Sequence, residues 1–471
     1  MTKKSPVFVP GFLLISNMQE RIKKALSIAT DTRVFEMGPG VSTKAPEVFR
    51  DCFPGKKAMI VADIHTWPVL GEKVFATFRE AGIPVERDII MEEEFHAEWS
   101  YVERVDALLD ARPDAVLVSV GSGVINDLCK LSSHHHGQSY LTLPTAASVD
   151  GYTSFGASIT YKGLKQTFEC PAPVAVVADI DIIAAAPKEL TAAGYADLAA
   201  KVPCGAEWMI ADLFGTEPIH PAAWHVLQDV LDEMLSDPEG VAAGNPDAIA
   251  LLFEGLTYSG FAMQAARSSR PASCTDHLFS HYLDMTAHRY KGKLQSHGFQ
   301  VAIGTLTMCA FFDAFLKMDL SSLDVDACVA AWPSLEEEQA RARKVFAGFV
   351  DPELGVREIT KKYGDKAAVR EQLTKVRDNW PALREQYRAQ VWPFEKMQEC
   401  FRIVGAPTDP ADIGVSRRML KDMVPYTQLM RYRINLLDLA KRAGIYDALV
   451  EKVFGPGCPW DVESNSRLHG E

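Results

Sequence analysis

The sequence predicts an α/β domain with a mainly parallel sheet, followed by an all-α domain. Up to about residue 187, short β-branched apolar runs alternate with patterns of helical period, as they do in βαβ units. Beyond that point strand-like runs nearly vanish and long helical patterns take over, which indicates a change of architecture. The chain has 471 residues, a length that suits two or three domains.

The strands of the first domain are predicted from five apolar runs. In chain order these are KAMIVAD, IPVERDII, DAVLVSVGSG, SYLTLPTAAS and VAVVADI, and helical patterns such as YVERVDALLDA and VINDLCKLSS separate them. We therefore expect an N-terminal extension over 1–30, the α/β domain over 31–187, the helical domain over 188–455 and a tail over 456–471. Within the helical domain, the charged stretch 334–400 is predicted to be an additional helical segment.

Composition restricts the class of partner. The formal net charge is -13, which argues against a nucleic-acid-binding surface. Nine cysteines without a CxxC pair indicate free thiols in a reducing compartment. The longest apolar stretch, VAIGTLTMCAFFDAFL, contains Asp313 and is predicted to be a buried helix rather than a membrane span. We expect a cytoplasmic homo-oligomer with a small-molecule substrate, no membrane span and no nucleic-acid partner.

A glycine turn stands where the third apolar run meets a helical pattern. In VSVGSGVINDLCK, Gly121 and Gly123 lie at this junction, where the chain can approach a phosphate and a helix N-terminus can bind it. Asn126 occupies the place of the third glycine in the full dinucleotide fingerprint. The turn is equally compatible with an ordinary strand-to-helix connector, and both interpretations remain open from the residues alone.

Polar residues follow two other predicted strands. The loop TLPTAASVDGYTS supplies hydroxyl groups and the carboxylate of Asp150, and Asp63 ends the run KAMIVAD. Ligands of open α/β sheets bind at the carboxyl ends of the strands, and an acid at Asp63 could bind a ribose diol, favouring NAD over NADP. The alternatives are a polar turn and an ordinary strand-end carboxylate. Together with the glycine turn, these features fit a Rossmann-like domain that binds a dinucleotide across the sheet edge.

Histidines are concentrated in the stretch DHLFSHYLDMTAHRYKGKLQSHG. His277 and His281 lie one helical turn apart, and His297 precedes a glycine. Asp197 lies in the apolar setting AGYADLAAKV, where a carboxylate needs a partner. Histidines with a carboxylate are typical of catalytic divalent-metal sites. The alternatives are hydrogen-bonded histidines of core or surface and a first-turn acid favoured by the helix dipole.

Five motifs resemble a known family. GSGVINDLCK, PTAASVDGYTSFGASI, GYADLAAK, DHLFSHYLDM and HGFQVAIGTL occur in the order and spacing of the iron-containing (group III) alcohol dehydrogenase superfamily. Within it they most resemble the sn-glycerol-1-phosphate dehydrogenases, over roughly residues 30–320. The resemblance implies the dehydroquinate synthase-like fold, in which a Rossmann-like dinucleotide-binding domain precedes an all-α metal-binding domain.

The resemblance also implies roles for individual residues. Asp197, His277 and His297 match the ligands of one divalent metal, with zinc expected and nickel or iron as alternatives. His281 matches a proton-relay residue beside the substrate, and Asp150 a substrate-contacting carboxylate, so we expect catalysis to involve His281 and Asp150, and Asp197 also to contact substrate. The cofactor is expected to be NAD(H) or NADP(H). The positions expected to contact it are Asp63, Gly121, Gly123, Val124, Ile125, Asn126, Asp127, Thr145, Ala146, Ala147, Ser148 and Ser154.

The activity implied by the resemblance is the reversible reduction of dihydroxyacetone phosphate to sn-glycerol 1-phosphate. Two other enzymes remain as alternatives: a dehydrogenase of non-phosphorylated polyols, and a 3-dehydroquinate synthase-like cyclase that uses NAD catalytically. A non-catalytic scaffold is a third alternative, disfavoured by the intact carboxylate and histidines. Lys162, Lys165 and Arg289 are candidates for binding a substrate phosphate by their location only.

Overall fold

A computed structural model describes residues 11–464, so that parts of the predicted N-terminal extension (1–10) and tail (465–471) lie outside the described residues. The first part of the chain alternates strands and helices, as expected. Its elements are α1 (Gly11–Leu26), β1 (Val34–Gly38), α2 (Ala45–Cys52), β2 (Lys57–Asp63), α3 (Glu72–Glu80), β3 (Val85–Ile90), α4 (Trp99–Asp110), β4 (Ala115–Gly121), α5 (Gly123–His135), β5 (Leu141–Pro144), β6 (Ala157–Tyr161), β7 (Leu164–Phe168), β8 (Ala175–Asp179), α6 (Ile180–Ala184) and α7 (Lys188–Ala199).

The second part is helical apart from one pair of two-residue strands. Its elements are α8 (Lys201–Leu213), α9 (Pro221–Leu227), α10 (Leu231–Met234), α11 (Pro238–Ala243), α12 (Pro246–Ala266), α13 (Thr275–Met285), β9 (Arg289–Tyr290), β10 (Lys293–Leu294), α14 (His297–Phe315), α15 (Val325–Ala331), α16 (Leu335–Phe346), α17 (Leu354–Lys362), α18 (Lys366–Gln390), α19 (Phe394–Val404), α20 (Arg417–Leu429), α21 (Leu436–Arg442) and α22 (Tyr446–Phe454). The predicted α/β and all-α classes are confirmed.

The chain divides into two compact units. The first comprises the described residues up to Tyr161 together with Gln166–Gly194 and Asp232–Ser268. The second comprises Lys162–Lys165, Tyr195–Leu231 and the described residues from Ser269 onward. Most of α10 and all of α11 and α12 therefore belong to the unit that contains the sheet.

The first unit is built on a six-stranded sheet. The strand order is β1-β8-β5-β4-β2-β3, and every pairing is parallel. Both faces of this sheet are covered, because Ile60 packs in a cluster with α2 and α3 while Val61 packs in another with α4 and α5. This double burial explains why β2, β4, β5 and β8 are continuous apolar runs, whereas the edge strand β3 carries charged residues.

One strand of the sheet was not predicted. β1 has the sequence VFEMG, and three of its five residues are only half-buried. It lies at the edge of the sheet, beside β8 alone. An edge strand needs no continuous apolar run, so its sequence gave a weak signal.

Two helices of the second unit cross at very short range. A methyl group at Gly304 of α14 would lie 2.1 Å from the carbonyl oxygen of Asp276 in α13. Only the missing side chain lets the two backbones approach this closely. α13 carries His277 and His281, and α14 begins at His297, so this crossing brings the three histidines into one region.

Helix α14 contains the longest apolar stretch of the sequence. Among the described residues it is the one helix long and apolar enough to cross a membrane, and 89% of its apolar window is buried inside the structure. The predicted burial of this helix is confirmed.

We predict that Gly304→Ala destabilises the protein. The added methyl group must push α13 and α14 apart, which costs roughly 1–3 kcal/mol and outweighs the smaller gain in helix propensity. Chemical denaturation measures the free energy of unfolding. Gly348→Ala is the matched control, because no atom lies within 4 Å of a methyl group there. Equal stability of the two variants would contradict the close crossing.

Candidate functional site

The turn after β4 has a packing reason for both of its glycines. A methyl group at Gly121 would lie 2.8 Å from Cβ of Ile125, and one at Gly123 would lie 2.8 Å from Cγ2 of Val149. Ser122 precedes α5 in an extended conformation, and its side chain does not cap the helix. The first N–H groups of α5 are therefore left for water or a ligand. The geometry suits a connector as well as a phosphate-binding turn.

The predicted cofactor residues of this helix differ in what they can offer. Ile125 packs into the hydrophobic core beneath the sheet. Asn126 is fully buried, where it donates to the carbonyl of Gly151 (3.1 Å) and accepts from the hydroxyl of Tyr140 (3.0 Å). These two residues can bind a ligand only through their backbone, whereas Val124 and Asp127 are half-exposed.

The polar loop after β5 lies beside this turn. Thr145 donates its N–H to the carbonyl of Gly121 (3.1 Å), because β5 pairs with β4 in parallel. Ala146 and Ala147 are buried, and a methyl group at Gly194 would lie 1.9 Å from the carbonyl oxygen of Ala147. The middle of α7 thus packs directly against the backbone of this loop.

Lys130 holds the rest of this loop, a role that the sequence did not reveal. Its fully buried ammonium donates to the carbonyls of Gly151 (2.8 Å), Ser154 (3.0 Å) and Gly156 (2.9 Å). Three carbonyls around one buried cation satisfy its donors and fix the backbone between them. The signal for it in the sequence is a lysine one helical turn after Asp127.

Three predicted side chains of this region are already engaged within the unit. The hydroxyl of Ser148 lies 3.2 Å from that of Tyr152, and the hydroxyl of Ser154 donates to the carbonyl of Gly151 (3.1 Å). Asp150 is half-buried and accepts from the hydroxyl of Ser259 in α12 (2.7 Å). Asp150 is therefore held in one orientation.

Asp63 ends β2 at the same edge of the sheet. Its Oδ1 accepts from the N–H groups of His65 and Thr66, both at 2.8 Å, and only 4% of the residue is exposed. Thr66 in turn donates its hydroxyl to the carbonyl of Val120 in β4 (3.1 Å). Asp63 thus stabilises its own turn through one oxygen, as strand-end acids often do.

The second unit brings Asp197, His277 and His297 together. One potential ligand atom from each lies within 4.8 Å of the others, and this is the one such group of three found among residues 11–464. The Nε2 of His277 lies 3.4 Å from the Oδ1 of Asp197. A carboxylate with two imidazoles is a donor set that suits zinc, nickel or iron. The three residues fit one divalent cation.

The second nitrogen of each imidazole faces a supporting group. Nδ1 of His277 lies 3.3 Å from Oδ2 of Asp276, and neither atom has a hydrogen-bond partner within the described chain. Ser280 donates to Gln300 (2.7 Å), so at 3.0 Å it must accept from Nδ1 of His297. His297 consequently has an unprotonated Nε2, as metal ligation requires.

Asp197 is buried with its own counter-ion. Lys201, one helical turn later and fully buried, donates to its Oδ1 at 2.7 Å. Burial opposes ionisation of Asp197, but Lys201 and then His277 outweigh it and hold the pKa of the carboxyl well below its usual range. The carboxylate is therefore ionised and available at any physiological pH.

His281 lies one turn beyond His277 and is half-buried. The guanidinium of Arg431 lies 3.2 Å from its Nε2. Because arginine only donates, Nε2 must be the acceptor, so the ring is neutral with its proton on Nδ1. Burial and then the charge of Arg431 lower the pKa of His281 well below its usual range, in agreement with this assignment.

Glu207 of α8 anchors the start of α13. Its buried carboxylate accepts from the N–H (2.9 Å) and hydroxyl (2.8 Å) of Thr275, and from the N–H of Leu436 (3.1 Å). The first turn of α13 is thereby fixed to α8 and α21. Burial raises the pKa of Glu207 to about 7, against the opposing effect of these donors.

We predict that Glu207 makes stability depend on pH. Its folded pKa lies above the ordinary value of 4.5, so its contribution is present below about pH 4.5 and is lost as the pH rises through about 7. Glu207→Gln stays neutral, and between pH 4.5 and 8 its unfolding free energy should rise relative to the native protein by about 2–3 kcal/mol. Urea denaturation across this range measures the difference. The exposed Glu239→Gln is the control, and a pH-independent difference for Glu207→Gln would refute the assignment.

Comparisons with known proteins place the chain in a family. A family model described as iron-containing alcohol dehydrogenase matches residues 36–187. A protein of Halalkalibacterium halodurans named glycerol-1-phosphate dehydrogenase, NAD(P)+, is 34% identical over 255 residues, which are 54% of this chain and 64% of that relative. A protein of the same name from Halobacterium salinarum strain R1 is 33% identical over 270 residues, which are 57% of this chain and 74% of that relative.

A solved structure shares the fold. The probable glycerol dehydrogenase of Sinorhizobium meliloti 1021 is 18% identical, covers 89% of this chain and 96% of its own, and superimposes with a TM-score of 0.58. The predicted family, fold class and enzyme class are confirmed. The predicted cofactors, a nicotinamide dinucleotide and one divalent metal, agree with the family match and with the names of these relatives. The chain belongs to the iron-containing alcohol dehydrogenase family.

Proposed function

We propose that this protein is a metal-dependent, NAD(P)H-linked oxidoreductase that reversibly reduces dihydroxyacetone phosphate to sn-glycerol 1-phosphate. The name shared by its relatives from Halalkalibacterium halodurans and Halobacterium salinarum supports this substrate. We further propose that it acts in the cytoplasm and as a homo-oligomer.

The observation that carries the proposal is the cluster of Asp197, His277 and His297. We assign these residues as the metal ligands, supported by Lys201, Asp276 and Ser280. A divalent ion bound there would polarise the substrate carbonyl and stabilise the negative charge that develops on its oxygen as hydride arrives. The carboxylate oxygens of Asp197 are also expected to lie near the substrate.

His281 is proposed to pass the proton. Reduction adds a hydride to the carbonyl carbon and a proton to its oxygen. The neutral ring carries its proton on Nδ1 and can give it to the oxygen of the forming alcohol while Nε2 takes a replacement from solvent, for which the N–H of Arg431 must first leave Nε2. Because the ring is half-buried rather than sealed, solvent can reach it. Asp150 is proposed to contact substrate through the oxygen that Ser259 does not engage.

The dinucleotide is proposed to bind at the carboxyl edge of the parallel sheet. Support comes from the free N–H groups at the start of α5 and from the rigid loop that Lys130 holds. The proposed contacts are Asp63, Gly121, Gly123, Val124, Ile125, Asn126, Asp127, Thr145, Ala146, Ala147, Ser148 and Ser154. The second oxygen of Asp63 is proposed to bind the adenosine ribose.

The metal-loaded enzyme should consume NADH or NADPH with dihydroxyacetone phosphate and form sn-glycerol 1-phosphate rather than its enantiomer. Absorbance of the reduced cofactor and chiral product analysis measure this. A strong chelator should abolish turnover, and added zinc, nickel or iron should restore it. Ketone-dependent turnover without net oxidation of the cofactor would instead indicate cyclase-type chemistry, and full activity of metal-free protein would refute the proposed mechanism.

Two histidines one turn apart should behave differently. His277→Ala removes a proposed ligand and should lose the bound metal, whereas His281→Ala should keep stoichiometric metal and lose about 10²- to 10⁴-fold in kcat. Elemental analysis and steady-state kinetics on the same samples separate the two effects. His225→Ala, an exposed residue paired with Asp229, is the control. Metal loss in both site variants would contradict the division of roles.

A further inference from the structure

Arg431 is an arginine that forms no ion pair with any carboxylate of the described residues, although the charge of Glu358 acts on it from farther away. It lies between α20 and α21, and it donates from Nη1 to the hydroxyl of Ser273 (3.2 Å) and from Nη2 to Nε2 of His281 (3.2 Å). Both acceptors are neutral. Within residues 11–464, no carboxylate lies within ion-pair distance of this guanidinium, although its side chain is half-buried. A desolvated cation in this state attracts an anion.

Neighbouring cations of the same unit are already paired, which distinguishes them from Arg431. Lys165 binds Asp284 at 2.8 Å, and Arg433 lies 3.6 Å from Glu217. Both nonetheless add positive potential, since Arg433 shares Ser273 with Arg431 and Lys165 contributes to the low pKa of His281. Burial, and then the charge of Arg433, lowers the pKa of Arg431 to about 10, but the guanidinium stays protonated at neutral pH.

The candidates named from sequence are less suited than Arg431. Lys162 and Arg289 are exposed, and Arg289 donates to the carbonyl of Gly292 (3.1 Å) within its own hairpin. Lys165 is neutralised by Asp284. The three candidates were chosen by their position in the sequence, which does not show which basic side chain forms an ion pair in the folded protein.

The chemistry of guanidinium identifies the anion class. Arginine offers five N–H donors in a planar fork, and the two observed bonds leave donors for the paired oxygens of a phosphate. In dihydroxyacetone phosphate, three bonds separate the carbonyl carbon from phosphorus. His281 is proposed to act on the carbonyl oxygen. Arg431 contacts His281 directly, so its guanidinium is close enough to the carbonyl position to bind a phosphate three bonds away.

We propose that Arg431 forms an anion subsite beside His281 that binds the phosphate monoester of the substrate and so sets the preference for phosphorylated over free ketoses. This inference rests on the proposed function for the identity of the substrate. It assigns the specificity to a residue in the C-terminal helical part, outside residues 36–187 that the family model matches.

The test compares metal-loaded native protein with Arg431→Gln, Arg431→Lys and the control Arg402→Gln, whose exposed side chain pairs with Glu399. Kinetics with dihydroxyacetone phosphate and with dihydroxyacetone give kcat and KM for each. Calorimetric titration with inorganic phosphate measures anion binding directly. Circular dichroism verifies that each variant is folded, and Arg431→Lys keeps the charge if the glutamine variant does not fold.

Arg431→Gln should lower kcat/KM for dihydroxyacetone phosphate about 10- to 100-fold, mainly through KM, and weaken phosphate binding by a similar factor. Turnover of dihydroxyacetone should change much less, and Arg431→Lys should recover part of the loss. Equal losses with both ketones would mean that Arg431 acts only through His281, and would overturn the inference, as would unchanged phosphate binding or no phosphate binding by native protein. If native protein reduces neither ketone, the proposed function fails, while the phosphate titration still decides the subsite.

Discussion

The buried negative charge of Asp197 is the constraint on which the helical unit depends. Only 1% of this residue is exposed, and a carboxylate so far from water needs compensation on every side. Lys201 supplies one positive charge from the start of α8, the next helix along the chain. His277 and His297 converge on the same carboxylate from two other helices, and Nε2 of His277 lies 3.4 Å from the Oδ1 that Lys201 also contacts. The positions of α7, α13 and α14 are thus tied to one charged group.

This convergence requires helices closer than ordinary side chains permit. Gly304 lets α14 pass against the backbone of Asp276, and Glu207 fixes the first turn of α13 from α8. Both devices act on the same turn of α13, directly before His277. The resulting order extends outward, since Asp276 and Ser280 then face the second nitrogens of the two imidazoles. The cation site that we propose is thus prepared by backbone packing first and by the side chains that would bind the ion second.

The sequence predicted the parts of this molecule that local pattern determines. Four buried strands, β2, β4, β5 and β8, were recognisable as apolar runs because both faces of the sheet are covered. Of the two edge strands, β3 was predicted and β1 was missed. The ligand set was named through family resemblance, not through spacing, since Asp197 precedes His297 by one hundred residues. Lys130 and Arg431 were missed because their significance lies in tertiary partners: Arg431 meets His281 across 150 positions. No local pattern carries such information.

Three desolvated cations of this protein show how their partners determine what they do. Lys201 faces a carboxylate and neutralises it, which fixes the proposed metal ligand Asp197. Lys130 faces three carbonyl groups, which satisfy its donors and fix a loop. Arg431 faces a hydroxyl and a neutral imidazole, which satisfy two donors but bring no opposite charge into contact with it. Lys201 and Lys130 find all these partners within the chain, so their role is structural. The third, in the subsite that we propose, is completed by an anion from outside the chain, and that difference separates a binding group from a structural one.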